Sequence, residues 1–160
     1  MTSRVELRHR YPEPPRRMWE VLTDPDFLRA KLHAVGGPRA ELVSRDDDGP
    51  GVTVVLRQTV PAGSLPSFVR AVLPGDLVIR RIERWQSAEG TVHAEVDGAP
   101  GTIGGTMSIE PDPGGSVLVL RLEAKVPLPL VGGKVEKVIT DSVSKLMDAE
   151  YEFTLQWLRS

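Results

Sequence analysis

Residues 130–159, LVGGKVEKVITDSVSKLMDAEYEFTLQWLR, carry one uninterrupted helical pattern to within a residue of the chain's end. Lys134, Lys137, Asp141, Lys145, Asp148 and Glu152 recur at spacings of three and four and form a solvated stripe. Val135, Ile139, Val143, Leu146, Phe153 and Trp157 lie opposite, the apolar stripe of an amphipathic helix. At 1.5 Å per residue the helix is roughly 43–45 Å long, enough to cross a whole sheet. It has to bury its stripe on something, and the preceding sequence supplies strands.

Working back from the helix, Leu77–Gln86, Thr91–Asp97, Thr102–Glu110 and Val117–Val126 read as four strands joined by short Gly/Pro/Asp turns. Ala40–Arg45 and Val52–Val60 flank Asp46-Asp47-Asp48-Gly49-Pro50-Gly51 as a hairpin. Between the two groups, Pro61–Asp76 is the longest connection, with one helical turn around Ser67–Leu73, and is a candidate lid. At the start, Val5, Leu7, His9 and Tyr11 alternate with Arg4, Glu6, Arg8 and Arg10 in the period of a half-buried strand. Pro15, Met18, Trp19 and Leu22 then share one face of a short helix, and Thr23-Asp24-Pro25-Asp26 introduces a second over Phe27–Val35.

Composition narrows the function classes. A chain of 160 residues is most simply one domain, 1–160, able to bury a substantial core. The formal net charge of −2 offers no global field for nucleic acid or an anionic membrane. With no cysteine there is no disulfide, thiolate metal site or cysteine nucleophile. No apolar run approaches the ~20 residues of a membrane helix, and the first residues lack a signal peptide's apolar core. A cytoplasmic protein without stable membrane association, metal or other cofactor is expected; oligomeric state is not legible.

The order strand, two short helices, six strands, long helix resembles the helix-grip fold of the START-like (SRPBCC) superfamily, which includes lipid-transfer domains, polyketide cyclases and birch-pollen-allergen relatives. Leu65-Pro66-x-Phe68, Glu83-Arg84-Trp85, Gly101-Thr102-Ile103-Gly104-Gly105-Thr106, the run Val126–Glu136 and the closing Trp157-Leu158 are similar to an actinobacterial family of unknown function within it. The resemblance implies an α+β fold with a curved antiparallel sheet of about seven strands wrapped around the C-terminal helix, and a cavity between them. It implies no reaction, because one scaffold hosts many functions.

Strand parity shows which residues face that cavity. With Ser87-Ala88-Glu89-Gly90 as a four-residue loop, Trp85 sits opposite Val92, Glu83 opposite Ala94 and Arg81 opposite Val96, all inward with Ile79. Arg84 with His93, Ile82 with Glu95 and Arg80 with Asp97 form the solvated side. Leu56 shares the inward face of its strand with Gln58; Met107, Leu120 and Leu122 belong to other inward faces, and Ser142, Leu146 and Glu150 lie on or near the helix stripe. Arg81, Glu83 and Glu150 are the most informative group. Charges on a covered face must pair or meet a polar ligand, and arginine's planar fork suits a ligand carboxylate.

No catalytic signature is present. His9 and Tyr11 are the weak candidates for proton transfer, set against the plainer reading of a buried histidine with a backbone partner. The Asp46-Asp47-Asp48 run lacks the register of a calcium loop and reads as a solvated turn. The favoured function is non-covalent binding or transport of a hydrophobic or amphipathic small molecule, lipid- or polyketide-like. The alternatives are a cyclase or dehydratase acting on a polyketide-like substrate, and a protein-interaction module with a residual cavity.

Overall fold

A computed structural model describes residues 2–73 and 75–160. Seven antiparallel strands form one sheet in the order β1-β7-β6-β5-β4-β3-β2. The strands are β1 (Ser3–Tyr11), β2 (Glu41–Asp48), β3 (Gly51–Val60), β4 (Leu77–Gln86), β5 (Glu89–Val96), β6 (Thr102–Asp112) and β7 (Gly115–Lys125). Between β1 and β2, which form opposite edges of the sheet, run α1 (Pro15–Leu22) and α2 (Pro25–Val35). A short helix, α3 (Ser67–Val72), interrupts the connection from β3 to β4, and α4 (Gly132–Arg159) follows β7. This is the helix-grip architecture, with α4 packed against β1, β7 and α2.

Local chemistry accounts for the element ends. Pro15 and Pro25 sit at the first turns of α1 and α2, where the missing N–H costs no intrahelical bond. The Asp24 side chain accepts from the Asp26 backbone N–H at 3.0 Å and caps α2. On α4 the six expected solvent residues are all exposed, while Val135, Ile139 and Met147 are buried on the other side. The centre of the inner stripe differs from the sequence expectation. Met147 is buried where Leu146, Phe153 and Trp157 are half-buried, because Glu150 and Thr154 continue the line of Met147 into the interior.

Two turns are shorter than expected. The Asp46–Asp48 run belongs to β2, and only Gly49-Pro50 connects it to β3, Gly49 adopting φ +63°. The three aspartates are nonetheless exposed. The β4–β5 loop is Ser87-Ala88 alone, so Glu83 pairs with Val92, Arg81 with Ala94 and Ile79 with Val96, while Arg84 meets Thr91, Ile82 meets His93 and Arg80 meets Glu95. This register is displaced by two residues from the four-residue-loop expectation. Because side chains alternate with a period of two, an even displacement leaves every residue on its expected face.

Gly105 pairs with Leu122, and a Cβ there would lie 1.9 Å from the Arg121 carbonyl oxygen. Any side chain at this position would push β6 from β7, which explains the glycine without invoking a phosphate loop. The stretch expected as a lid, 61–76, includes Pro74, outside the described residues. Leu65, Val69 and Leu73 within it are buried in the core.

Candidate functional site

A charged cluster lies between the sheet and α4. Arg81 and Glu83 reach it from β4, Gln58 from β3, Glu150 from α4 and Lys31 from α2. Arg81 Nη1 donates to Glu150 Oε2 at 2.9 Å and Oε1 at 3.3 Å, and to Gln58 Oε1 at 3.4 Å. Lys31 Nζ stands 3.2 Å from Glu150 Oε1, and Gln58 Nε2 donates to Glu150 Oε2 at 3.1 Å. Burial alone would raise the Glu150 carboxyl, but Arg81 and Lys31, with hydrogen bonds from Arg81 and Gln58, hold it down to about 2. Burial alone would lower Arg81; Glu150 and Glu83 keep it above its ordinary value. Both therefore stay charged.

Glu83 pairs with the other arm of the same guanidinium. Its Oε2 is taken by Arg81 Nη2 at 2.5 Å, and its Oε1 accepts a long 3.4 Å bond from Trp85 Nε1. At that separation the guanidinium occupies Oε2, so the ion pair leaves Oε1 as the less engaged oxygen.

Three small voids run along the sheet–helix interface. The first, about 30 Å³, borders the charged cluster and is also lined by His9, Tyr11, Trp85, Met107, Leu120 and Met147. The second, about 40 Å³, shares Arg81, Met107, Leu120 and Met147 with the first and adds Gln58, Leu122 and Leu146. The third, about 30 Å³, shares Ile79, Ile103, Val143 and Leu146 with the second and is closed by Leu65 and Val69, with Ser142 on its helix side. The series is polar at one end and apolar at the other. Larger depressions of about 620 and 930 Å³ lie on the outer sheet face, but they open to solvent. In the smaller one, Arg4 pairs with Glu123 and Arg121 with Glu6, both at 2.8 Å. We place the candidate site inside.

Of the residues singled out in the sequence, Arg81, Glu83, Trp85, Gln58, Met107, Leu120, Leu122, Ser142, Leu146 and Glu150 border at least one of these voids. Leu56 is fully buried and borders none. His9 and Tyr11 line the polar void, but His9 has a side-chain partner where a backbone one was expected. Its Nε2 is 3.2 Å from Asp148 Oδ1, and its ring stacks on Tyr151 with centroids 4.5 Å apart. Burial pushes the Tyr11 phenol above its ordinary value despite a hydrogen bond with Thr154.

Sequence reasoning missed Lys31, Met147 and Thr154. Lys31 had a legible signal: it falls three and four residues after Leu28 and Phe27, inside the apolar stripe of α2. A charge in such a stripe needs a buried partner. Among the described residues no group of three or more His, Asp or Glu could hold a metal ion, and no helix is long and apolar enough to cross a membrane.

A family model described as Protein of unknown function (DUF2505) matches residues 6–158. The uncharacterized protein Rv0481c of Mycobacterium tuberculosis is 37% identical over 119 residues, 70% of this chain and 68% of that protein. Among solved structures, norcoclaurine synthase from Thalictrum flavum is similar with a TM-score of 0.64 at 18% identity, covering 97% of this chain and 87% of that one. A START superfamily protein from Mycobacterium smegmatis has a TM-score of 0.58 at 13% identity, covering 98% of both chains. At these identities the structural likeness is one of fold.

Proposed function

This chain belongs to the DUF2505 family and takes the START-like helix-grip fold, and from that premise we propose that it binds a hydrophobic or amphipathic small molecule non-covalently between the sheet and α4. One observation carries the reading: a row of separate small voids between sheet and helix that share lining residues, apolar at one end, with buried charged groups at the other. A core built only for stability gains little from a buried ion network beside empty space, because desolvation offsets the attraction and voids forfeit packing. Each void alone holds a water or two, so a ligand must join them. Met107 and Met147, between the first two, are unbranched and can swing aside at low cost.

Binding of N-phenyl-1-naphthylamine, an uncharged apolar dye, tests the proposal. Saturable uptake by the folded chain with micromolar affinity, about −8 kcal/mol, is expected, together with apolar molecules retained on purification and visible by native mass spectrometry. No uptake of the dye or of a lipid and polyketide panel would leave the interior as core alone and favour an interaction module.

A second reading, acid–base catalysis, is favoured by His9 and Tyr11 bordering the same void as Arg81 and Glu83. His9→Ala would then abolish turnover of a bound substrate while leaving dye affinity within about twofold, whereas a pure binder turns nothing over.

A further inference from the structure

Strand register gathers three connections at one end of the sheet. Val60 pairs with Leu77, the Asp97 N–H donates to the Val78 carbonyl oxygen, and Thr102 pairs with Lys125. The β3–β4 connection with α3, the β5–β6 turn and the β7–α4 connection therefore share that end. Three large hydrophobic side chains are exposed among the described residues, and two of them are here: Phe68 of α3, 40% exposed, and Leu130, fully exposed. Pro66, Pro127 and Pro129, close to them in the chain, are exposed as well.

Leu130 is also strained. It holds φ +68°, a left-handed conformation unfavourable for leucine and easy for glycine. Its side chain neither packs in the core nor suits its backbone. A residue held in both strain and full exposure points to a role outside the folded interior.

The charges point the same way. Arg39 pairs with Asp76 at 3.8 Å and Lys137 with Asp141 at 3.6 Å. Glu136 is buried and accepts from the Val126 N–H at 2.8 Å. That leaves Arg70, Lys125 and Lys134 against Asp97, all exposed, a surface excess of two positive charges on a chain whose formal net charge is −2. The first turn of α4 holds Lys134 and no acidic residue, although the backbone dipole there is already positive and disfavours a cation. The positive field is local and hidden by the chain's overall charge.

We propose that this end docks reversibly on anionic lipid bilayers, with Leu130 and Phe68 entering the interface and Arg70, Lys125 and Lys134 meeting lipid phosphates. A fluid bilayer accepts separated apolar side chains flanked by cations, whereas a protein interface needs a contiguous packed patch. Contact of this kind requires no spanning helix. It goes beyond the binding function proposed above, and the two adjoin in space. The α3 segment that presents Phe68 outside turns Val69 onto the apolar void, with Leu65 just before it, so a ligand leaving a bilayer would enter at the apolar end.

Sedimentation of the full chain with sucrose-loaded vesicles tests the docking, comparing phosphatidylcholine alone with an equal mixture of phosphatidylcholine and phosphatidylglycerol. The mixture should bind at least about tenfold tighter at low salt. That advantage should vanish at about 1 M salt, where the screening length is about 3 Å. Leu130→Gly should weaken binding to the mixture about tenfold while its denaturation midpoint stays level or rises, because glycine adopts the positive φ without strain. Lys134→Glu should abolish the preference for the mixture, also with a level or higher midpoint, since an acid suits the N-terminus of α4. Should either variant fail to fold, the other and the salt series carry the test. Vesicle binding that neither variant nor salt changes would place the contact elsewhere on the molecule and overturn the inference. No binding to either vesicle overturns it as well and leaves this end to a protein partner. Dye uptake in solution is independent of both results, so the binding function is judged separately.

Discussion

Burial alone would push the Glu150 carboxyl up, yet Arg81 and Lys31 hold it down to about 2 from an ordinary 4.5. A carboxyl so depressed binds fewer protons folded than unfolded. The stability that depends on it is complete above pH about 4.5 and is lost as pH falls toward about 2. Glu150→Gln should therefore unfold more easily at pH 7, by roughly 3–5 kcal/mol, because Arg81 and Lys31 lose the charge that compensates them. In urea titrations the gap to the wild-type chain should close between pH 4.5 and 2; a gap that stays constant across that range would show that the ion network contributes nothing.

At the scale of elements, the decisive surface is the inner face of α4. Met147 is 7% exposed and borders two voids, whereas Lys145 is on the solvent stripe. Met147→Ala should cost about 2–4 kcal/mol and Lys145→Ala less than about 0.5 kcal/mol. Equal denaturation midpoints for the two would mean that the helix is rotated from the face described. The β6–β7 pair makes a second prediction. Gly105→Ala places a methyl group against the Arg121 carbonyl oxygen and should destabilise by roughly 1–3 kcal/mol through backbone displacement, whereas Gly104→Ala, whose Cβ would meet nothing nearer than 3.8 Å, should be close to neutral.

For the whole molecule, a ligand that joins the voids couples binding to folding. At a hundredfold excess over Kd, a ligand that binds only the folded chain adds about 2.7 kcal/mol, which for a chain of this size raises Tm by roughly 5–11 °C. Calorimetry with saturating N-phenyl-1-naphthylamine checks this. An unchanged Tm at concentrations that saturate the dye signal would place the dye outside the folded interior.

What the sequence by itself determined was the set of elements and the faces they bury. Helical and strand periods are local, and a side chain's face depends only on parity. Arg81 and Glu83 are accordingly legible as inward-facing residues even though the β4–β5 loop is two residues shorter than the sequence suggests. The tertiary structure alone decided who meets whom. Lys31 on α2 reaches Glu150, 119 positions further along the chain, because α2 and α4 pack on each other, and no local pattern encodes that distance. Void size and charge balance likewise depend on every side chain that lines the interior. Periodicity can mark a residue as facing inward; only the packed arrangement shows that Arg81's charge is already taken by Glu83 and Glu150.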